Sequence, residues 1–192
     1  MILSLMIAAA VGTAEFGTRF LAEPPRPLLL DSPGAKAALE FTARQDFTVG
    51  ALSLHCAEAQ NPPAFRVSLR VLAQGPELAA TSYVPRAGSW STLPLPPVAV
   101  RAGSPYVIVI EPDLMRSGGH VVEKIHKNRW ASFTATGTAG QGSPLNGAPD
   151  PGAAVRMFDG RRWTTLKLQP VYILHGSGGL LEGNPYDRGG AR

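Results

Sequence analysis

The chain has 192 residues, 18 of them Lys or Arg and 14 Asp or Glu, for a formal net charge of +4. Its 21 Gly and 18 Pro exceed the average shares of about 7% and 5% and exclude an all-helical protein, because neither residue is tolerated inside long helices. The length suits one domain of about 100–150 residues with extensions. No Gly recurs at every third position, as collagen requires, and alternating β-branched and aromatic stretches argue against disorder throughout.

The first eleven residues, MILSLMIAAAV, form an apolar run with no Lys or Arg ahead of it. It resembles the apolar core of a secretion signal but lacks the basic leader, and it falls short of the roughly 20 residues that a membrane-spanning helix needs. The expectation is an arm or first strand packed on its own domain or on a neighbouring subunit, with a signal as the minor alternative and no membrane span. Pro24-Pro25-Arg26-Pro27 then makes a stiff extended break. Leu28-Leu29-Leu30 reads as a short strand, and Asp31-Ser32-Pro33-Gly34 as a turn.

From residue 39 the pattern is one of short strands. Over 47–56, Phe47 and Val49 share one face, Gly50 shifts the phase, and Leu52, Leu54 and Cys56 continue the inward set, which predicts a β-bulge at the glycine. Asn61-Pro62-Pro63 ends that strand. Residues 65–71 alternate cleanly, as a strand with one wet face does. A turn at 74–77, a strand over 78–84, a segment over 89–95 and 98–100 and a turn at 101–104 follow. The next run, 105–110, is apolar on both faces, as a central strand is.

A glycine-containing loop opens at Ser117, and residues 130–136 alternate again. Residues 138–152, rich in Gly, Pro, Ser and Asn, predict a long surface excursion. The runs 155–158 and 161–166 flank Asp159-Gly160 and predict a hairpin with a two-residue turn. A strand over 171–174 closes the domain. The whole predicts an all-β antiparallel sandwich, jelly-roll-like, over residues 39–176, with an apolar arm and Pro-rich linker over 1–38 and a Gly-rich tail over 177–192.

Little in this sequence points to chemistry. The single cysteine, Cys56, permits neither an intrachain disulfide nor a Cys-based zinc site, and its alternation makes it a buried small hydrophobe. His55, His120, His126 and His175 show no metal-ligand spacing, so no metal or other cofactor is expected. Glu111 and Asp113 are read as solvated charges at a strand end rather than calcium ligands. No G-x-S-x-G elbow surrounds a serine, and the glycine-rich stretches lack the Lys and strand-to-helix context of a phosphate loop. The chain is therefore expected not to be an enzyme.

Basic residues are scattered apart from Lys124/Lys127/Arg129 and Arg161/Arg162, so no nucleic-acid footprint is predicted. Arg outnumbers Lys, a bias that fits a thermophilic or GC-rich source without itself arguing thermostability. Trp90, Trp130 and Trp163 are core or edge-covering residues in the plainer reading, and platforms for a sugar ring in the functional one. Trp90, His120, Arg129 and Trp130 are the candidate ligand-binding residues, with 116–130 as the contact loop.

The order of Gln45-x-Phe47-Thr48-Val49, Trp90-Ser91-Thr92-Leu93, Val100-x-Ala102-Gly103-x-Pro105-Tyr106 leading into 107–110, a strand carrying Trp130, and Val171-Tyr172-Ile173-Leu174-His175-Gly176 is similar to a known pattern. It resembles the jelly-roll accessory domains of bacterial surface proteins and of phage tail and fibre proteins, over roughly 39–176. Val107 stands where many relatives have Trp, and 138–152 is hard to align. The resemblance implies binding or structural display and brings no catalytic residues with it. Two functions are thus expected. One is a virion subunit (tail, baseplate, fibre or capsid decoration) whose arms grip protein neighbours; the other is an extracellular or cell-surface module that binds a glycan.

Overall fold

The computed structural model describes residues 15–18, 25–32, 34–113, 129–137 and 152–176. Among them, thirteen strands form two antiparallel sheets packed as a sandwich. One sheet holds β1 (Glu15–Thr18), β2 (Arg26–Leu30), β4 (Phe47–Gln60), β7 (Ser89–Val100), β9 (Trp130–Thr136), β12 (Gln169–Pro170) and β13 (Tyr172–Gly176). The other runs in the order β11 (Trp163–Leu166), β10 (Ala154–Asp159), β3 (Ala35–Thr42), β8 (Pro105–Pro112), β5 (Phe65–Arg70) and β6 (Glu77–Tyr83). From β3 onward most connections cross from one sheet to the other, the winding expected of a jelly-roll-like sandwich.

β4 organises the larger sheet because three strands read its register. β7 lies along one edge, while β13 and β9 share the other. Against β13 the pairing jumps from Gly176↔Val49 to His175↔Ala51, leaving Gly50 as the extra residue. The predicted bulge is there, and Val49, Leu52, Leu54 and Cys56 all face the core. A second irregularity was not anticipated: Cys56 pairs with Phe133 and Glu58 with Ser132, so Ala57 is extra. It turns the phase again and sends Glu58 and Gln60 to the outer face.

The sandwich takes in more of the N-terminal segment than a boundary at residue 39 allows. β1 adds to β13 through Phe16↔Leu174, β2 adds to β9 through Leu28↔Phe133, and β3 starts at Ala35. The reason is burial: Phe16, Leu28 and Leu30 are almost fully covered and belong to the core. Gly17 permits this closeness with φ of 150°, because a Cβ there would collide with the Tyr172 carbonyl oxygen. The apolar run of the first eleven residues and the tail from residue 177 lie outside the described residues.

Two aromatic groups bolt the sheets together. Phe41 of β3 meets Phe16 and Tyr172 of the opposite sheet at centroid distances of 5.7 and 5.1 Å, and stacks on Tyr106 at 5.8 Å. Phe65 of β5 meets Phe133 of β9 edge-on at 5.4 Å. Since Phe41 pairs with Tyr106 and Phe65 with Pro112, the bolts sit about 20 Å apart along β8, at opposite ends of the core.

Two local expectations are corrected. The β10–β11 hairpin does not turn on Asp159-Gly160: Phe158 pairs with Trp163, and the Asp159 N–H donates to the Arg162 carbonyl at 3.3 Å, which puts Gly160 and Arg161 at the tip. Asp159 stabilises this shifted turn by accepting the N–H groups of Arg161 and Arg162 on Oδ1 at 2.8 and 2.9 Å, while Gly160 supplies a φ of 94°. Glu111 and Asp113 are not solvated strand-end charges. β8 is central, so cations on both neighbouring strands reach Glu111: Lys36 of β3 and, at 3.0 Å, Arg70 of β5. Asp113 is buried and donates its backbone N–H to Ala64.

Candidate functional site

The outer faces of the two sheets differ in chemistry, and sheet alternation decides what each displays. On the seven-stranded sheet the outward positions carry hydroxyls and imidazoles. Ser53 Oγ lies 2.8 Å from Thr92 Oγ1 and 2.7 Å from His175 Nε2, and His55 Nδ1 lies 2.7 Å from Thr134 Oγ1. A serine beside an imidazole is the chemistry of an activated nucleophile. Ser53, however, is fully buried and already engaged by Thr92, so the pair knits β4, β7 and β13 together.

Trp90 belongs to this row, its ring edge-on to His55 at 5.5 Å. Burial holds the His55 pKa below its ordinary value of 6.5. A lowered folded value means that the unfolded chain binds the proton more tightly. The stability that neutral His55 supports is therefore complete above about pH 6.5 and is lost as pH falls toward the lowered value. Denaturant titrations at neutral and mildly acidic pH check this: His55→Gln is expected to lose less stability on acidification than the wild type. Equal losses would remove His55 as a source of the pH dependence.

Cys56, on the inner side of β4, donates its thiol to the Glu58 carbonyl at 3.2 Å, and burial pushes its pKa up to about 11. It is an inert packed thiol, as its alternation predicts.

The candidate ligand-binding residues do not converge. Trp90 and Trp130 flank opposite edges of β4 beside His55 and Gln60, five residues or about 16 Å apart along the strand. Arg129 and Trp130 stay together: Arg129 Nε donates to the Asn61 carbonyl at 3.2 Å, and Trp130 Nε1 donates to Gln60 Oε1 at 3.2 Å. His120 and most of the 116–130 loop lie outside the described residues.

The six-stranded sheet carries a feature that sequence reasoning missed. Its outer face bears a ladder of charges along one side, with Arg70 bridging Glu77 and Glu111 at 3.0 Å each. Beside the ladder the face turns apolar. Ala38, Val107 and Val109 are buried under the partly covered Trp163 and Ala73. Trp163 is flanked by Phe158 at 5.2 Å and by the Arg156 guanidinium, 5.4 Å from its ring centre. Arg156 Nη1 in turn donates to Glu40 at 3.2 Å.

Together Trp163, Arg156, Glu40, Thr42, Val71 and Leu72 line part of an open groove of about 490 Å³. Val71 and Leu72, in the β5–β6 turn, stand at its rim 46% and 66% exposed. The signal for this surface was present in the run 105–110, apolar on both faces. Which strands would flank it was not readable without the pairing.

Among the described residues no three His, Cys, Asp or Glu side chains gather to hold a metal, and no helix is long and apolar enough to cross a membrane. No family model and no curated protein matches this chain.

Proposed function

We propose that this chain is a non-enzymatic structural subunit of a multi-subunit protein assembly, of the kind that forms the tail, baseplate, fibre or capsid decoration of a phage virion. One observation carries the reading: the outer face of the six-stranded sheet is apolar at its centre and open at its rim. A sheet face turned permanently to water alternates to polar residues. Here Ala38, Val107 and Val109 occupy the centre beneath Trp163 and Ala73, and Val71 and Leu72 stand exposed beside them. Exposed apolar side chains at the rim of an open groove suit a protein–protein contact. The sheet edges point the same way, since β7 carries Pro94, Pro96 and Pro97 and β11 has only four residues. Edges blunted like these discourage strand-to-strand joining and leave the face as the contact.

The test is self-association of the full chain, followed by sedimentation over a wide concentration range. Wild type is expected to associate, and Leu72→Asp to weaken association by about tenfold or more, because losing a buried leucine contact forfeits about 1.5–3 kcal/mol. A chain that remains monomeric throughout, with Leu72→Asp indistinguishable from it, overturns the assembly reading. The second reading, a glycan-binding module of a bacterial surface or secreted protein, is favoured by Trp163 in the groove with Arg156 and Glu40 at hand. An aromatic face next to hydrogen-bonding groups suits a sugar ring. A monomer whose Trp163 emission is quenched by an oligosaccharide would decide for that reading.

A further inference from the structure

A smaller groove of about 310 Å³ opens on the opposite side of the molecule, on the outer face of the seven-stranded sheet. It is lined by Pro27, Leu29, Asp31, Glu58, Trp130 and Ser132. Register explains why these six meet. Ser132 of β9 pairs with Leu29 of β2 on one side and with Glu58 of β4 on the other. Leu30 pairs with Ala131, which brings Asp31, the residue after β2, alongside Trp130. Glu58 faces outward only because the Ala57 bulge reverses the phase of β4.

The polar groups in this groove are unspent. Asp31 and Glu58 are exposed and form no ion pair among the described residues. Ser132 is only 2% exposed, lines the groove, and its Oγ has no hydrogen-bond partner among the described residues. Buried hydroxyls are nearly always satisfied, so one left open in a groove points to an absent partner. The indole of Trp130 is held in place by Gln60. The neighbouring cation, Arg129, is drawn toward the Asn61 carbonyl instead of the two carboxylates. The acidity of the groove also stands out against a chain of net charge +4.

We propose that this groove receives an arginine side chain presented by a partner polypeptide. The argument is charge and shape complementarity. A guanidinium stacks its flat face on an indole while its N–H groups point outward in the plane, toward carboxylates on either side. Asp31, just past the end of β2, and Glu58 of β4 stand around Trp130, and Ser132 offers an acceptor in the floor. Pro27 and Leu29 provide apolar wall for the aliphatic stem. A lysine ammonium, a compact point charge, satisfies the carboxylates but does not also stack on the ring. The inference goes beyond the assembly reading and does not rest on it, because the two surfaces lie on different sheets and are tested by different variants.

The experiment titrates the full chain with a capped Gly-Arg-Gly peptide and follows the indole N–H resonances by NMR. The Trp130 resonance is identified from the spectrum of Trp130→Phe. The expected result is a saturable shift of Trp130 with little movement of Trp90 or Trp163, weakened by added salt. The same peptide with citrulline in place of arginine, a neutral near-isostere, is expected to leave Trp130 unmoved.

Asp31→Asn combined with Glu58→Gln is expected to weaken arginine-peptide binding by about tenfold or more, the loss of two charge-assisted contacts at an exposed site. Both positions are on the surface, so the melting temperature should hold and confirm that the variant is folded. Equal binding of the citrulline peptide, equal or tighter binding of a lysine peptide, or undiminished binding by the double variant overturns the proposal. So does the absence of any Trp130 shift.

Discussion

Deleting Ser53 is expected to remove most of the stability of the fold, whereas deleting Gly50 is expected to leave it standing. β4 keeps Phe47 and Val49 on the core side before the glycine and Leu52, Leu54 and Cys56 on that side after it. Gly50 is the residue left over where β13 pairs, so removing it leaves a regular strand with both sets still inward. Ser53 is not an extra residue. Side chains alternate with a period of two, so removing it turns Leu54 and Cys56 outward or, where the Gly50 bulge takes up the slack, Leu52. Turning a fully buried leucine outward forfeits about 1.5–3 kcal/mol, and the cavity it leaves adds to this. The Ser53 contacts to Thr92 and His175 are lost as well, against a total stability of about 5–15 kcal/mol. Near-UV circular dichroism and thermal melting check the outcome, with ΔGly50 as the control that should keep a cooperative melt. A ΔSer53 chain that melts like the wild type, or a ΔGly50 chain that does not fold, would refute the phase assignment.

Phe16→Ala is expected to cost about 3–5 kcal/mol, as truncation of a buried phenylalanine does. For a chain of this size that lowers the melting temperature by about 6–20 °C. The effect is large because Phe16 touches both sheets: it meets Phe41 at 5.7 Å, and Phe47 and Tyr172 at 6.4 Å each. The measurement asks whether Glu15–Thr18 is part of the cooperative body or an appended arm. Gly17→Val should give a comparable loss by another route, since its Cβ would run into the Tyr172 backbone. A Phe16→Ala chain that melts within a degree or two of wild type would separate β1 from the fold.

The bulge at Gly50, the strand 65–70, the central strand 105–110 and the hairpin beyond residue 154 were all legible in the linear pattern. In each case alternation against one core leaves a local trace. The turn of that hairpin was not. Asp-Gly fits a turn with Asp159 at its tip and one with Asp159 on its shoulder equally well until the Asp159 carboxylate is seen accepting two backbone N–H groups. Ala57 left no trace, because an alanine at a phase change looks like any alanine. Glu111 read as a solvated charge because nothing in the linear order sets Lys36 and Arg70 beside it. Trp130 was singled out, but its companions Asp31, Glu58 and Ser132 were not. They come from β4, β9 and the end of β2, whose neighbourhood is set only by pairing.

What this chain's sequence determined by itself was its class and the inward face of most strands. Glycine and proline forbid long helices, and a period of two needs only one buried side to be visible. The tertiary structure alone decided that Phe16 and Leu28 belong to the core, that an apolar groove lies over β3 and β8, and that an acidic groove surrounds Trp130. Strand order and register are long-range choices. They are made by burial summed over both sheets, and no window of neighbouring residues contains that sum.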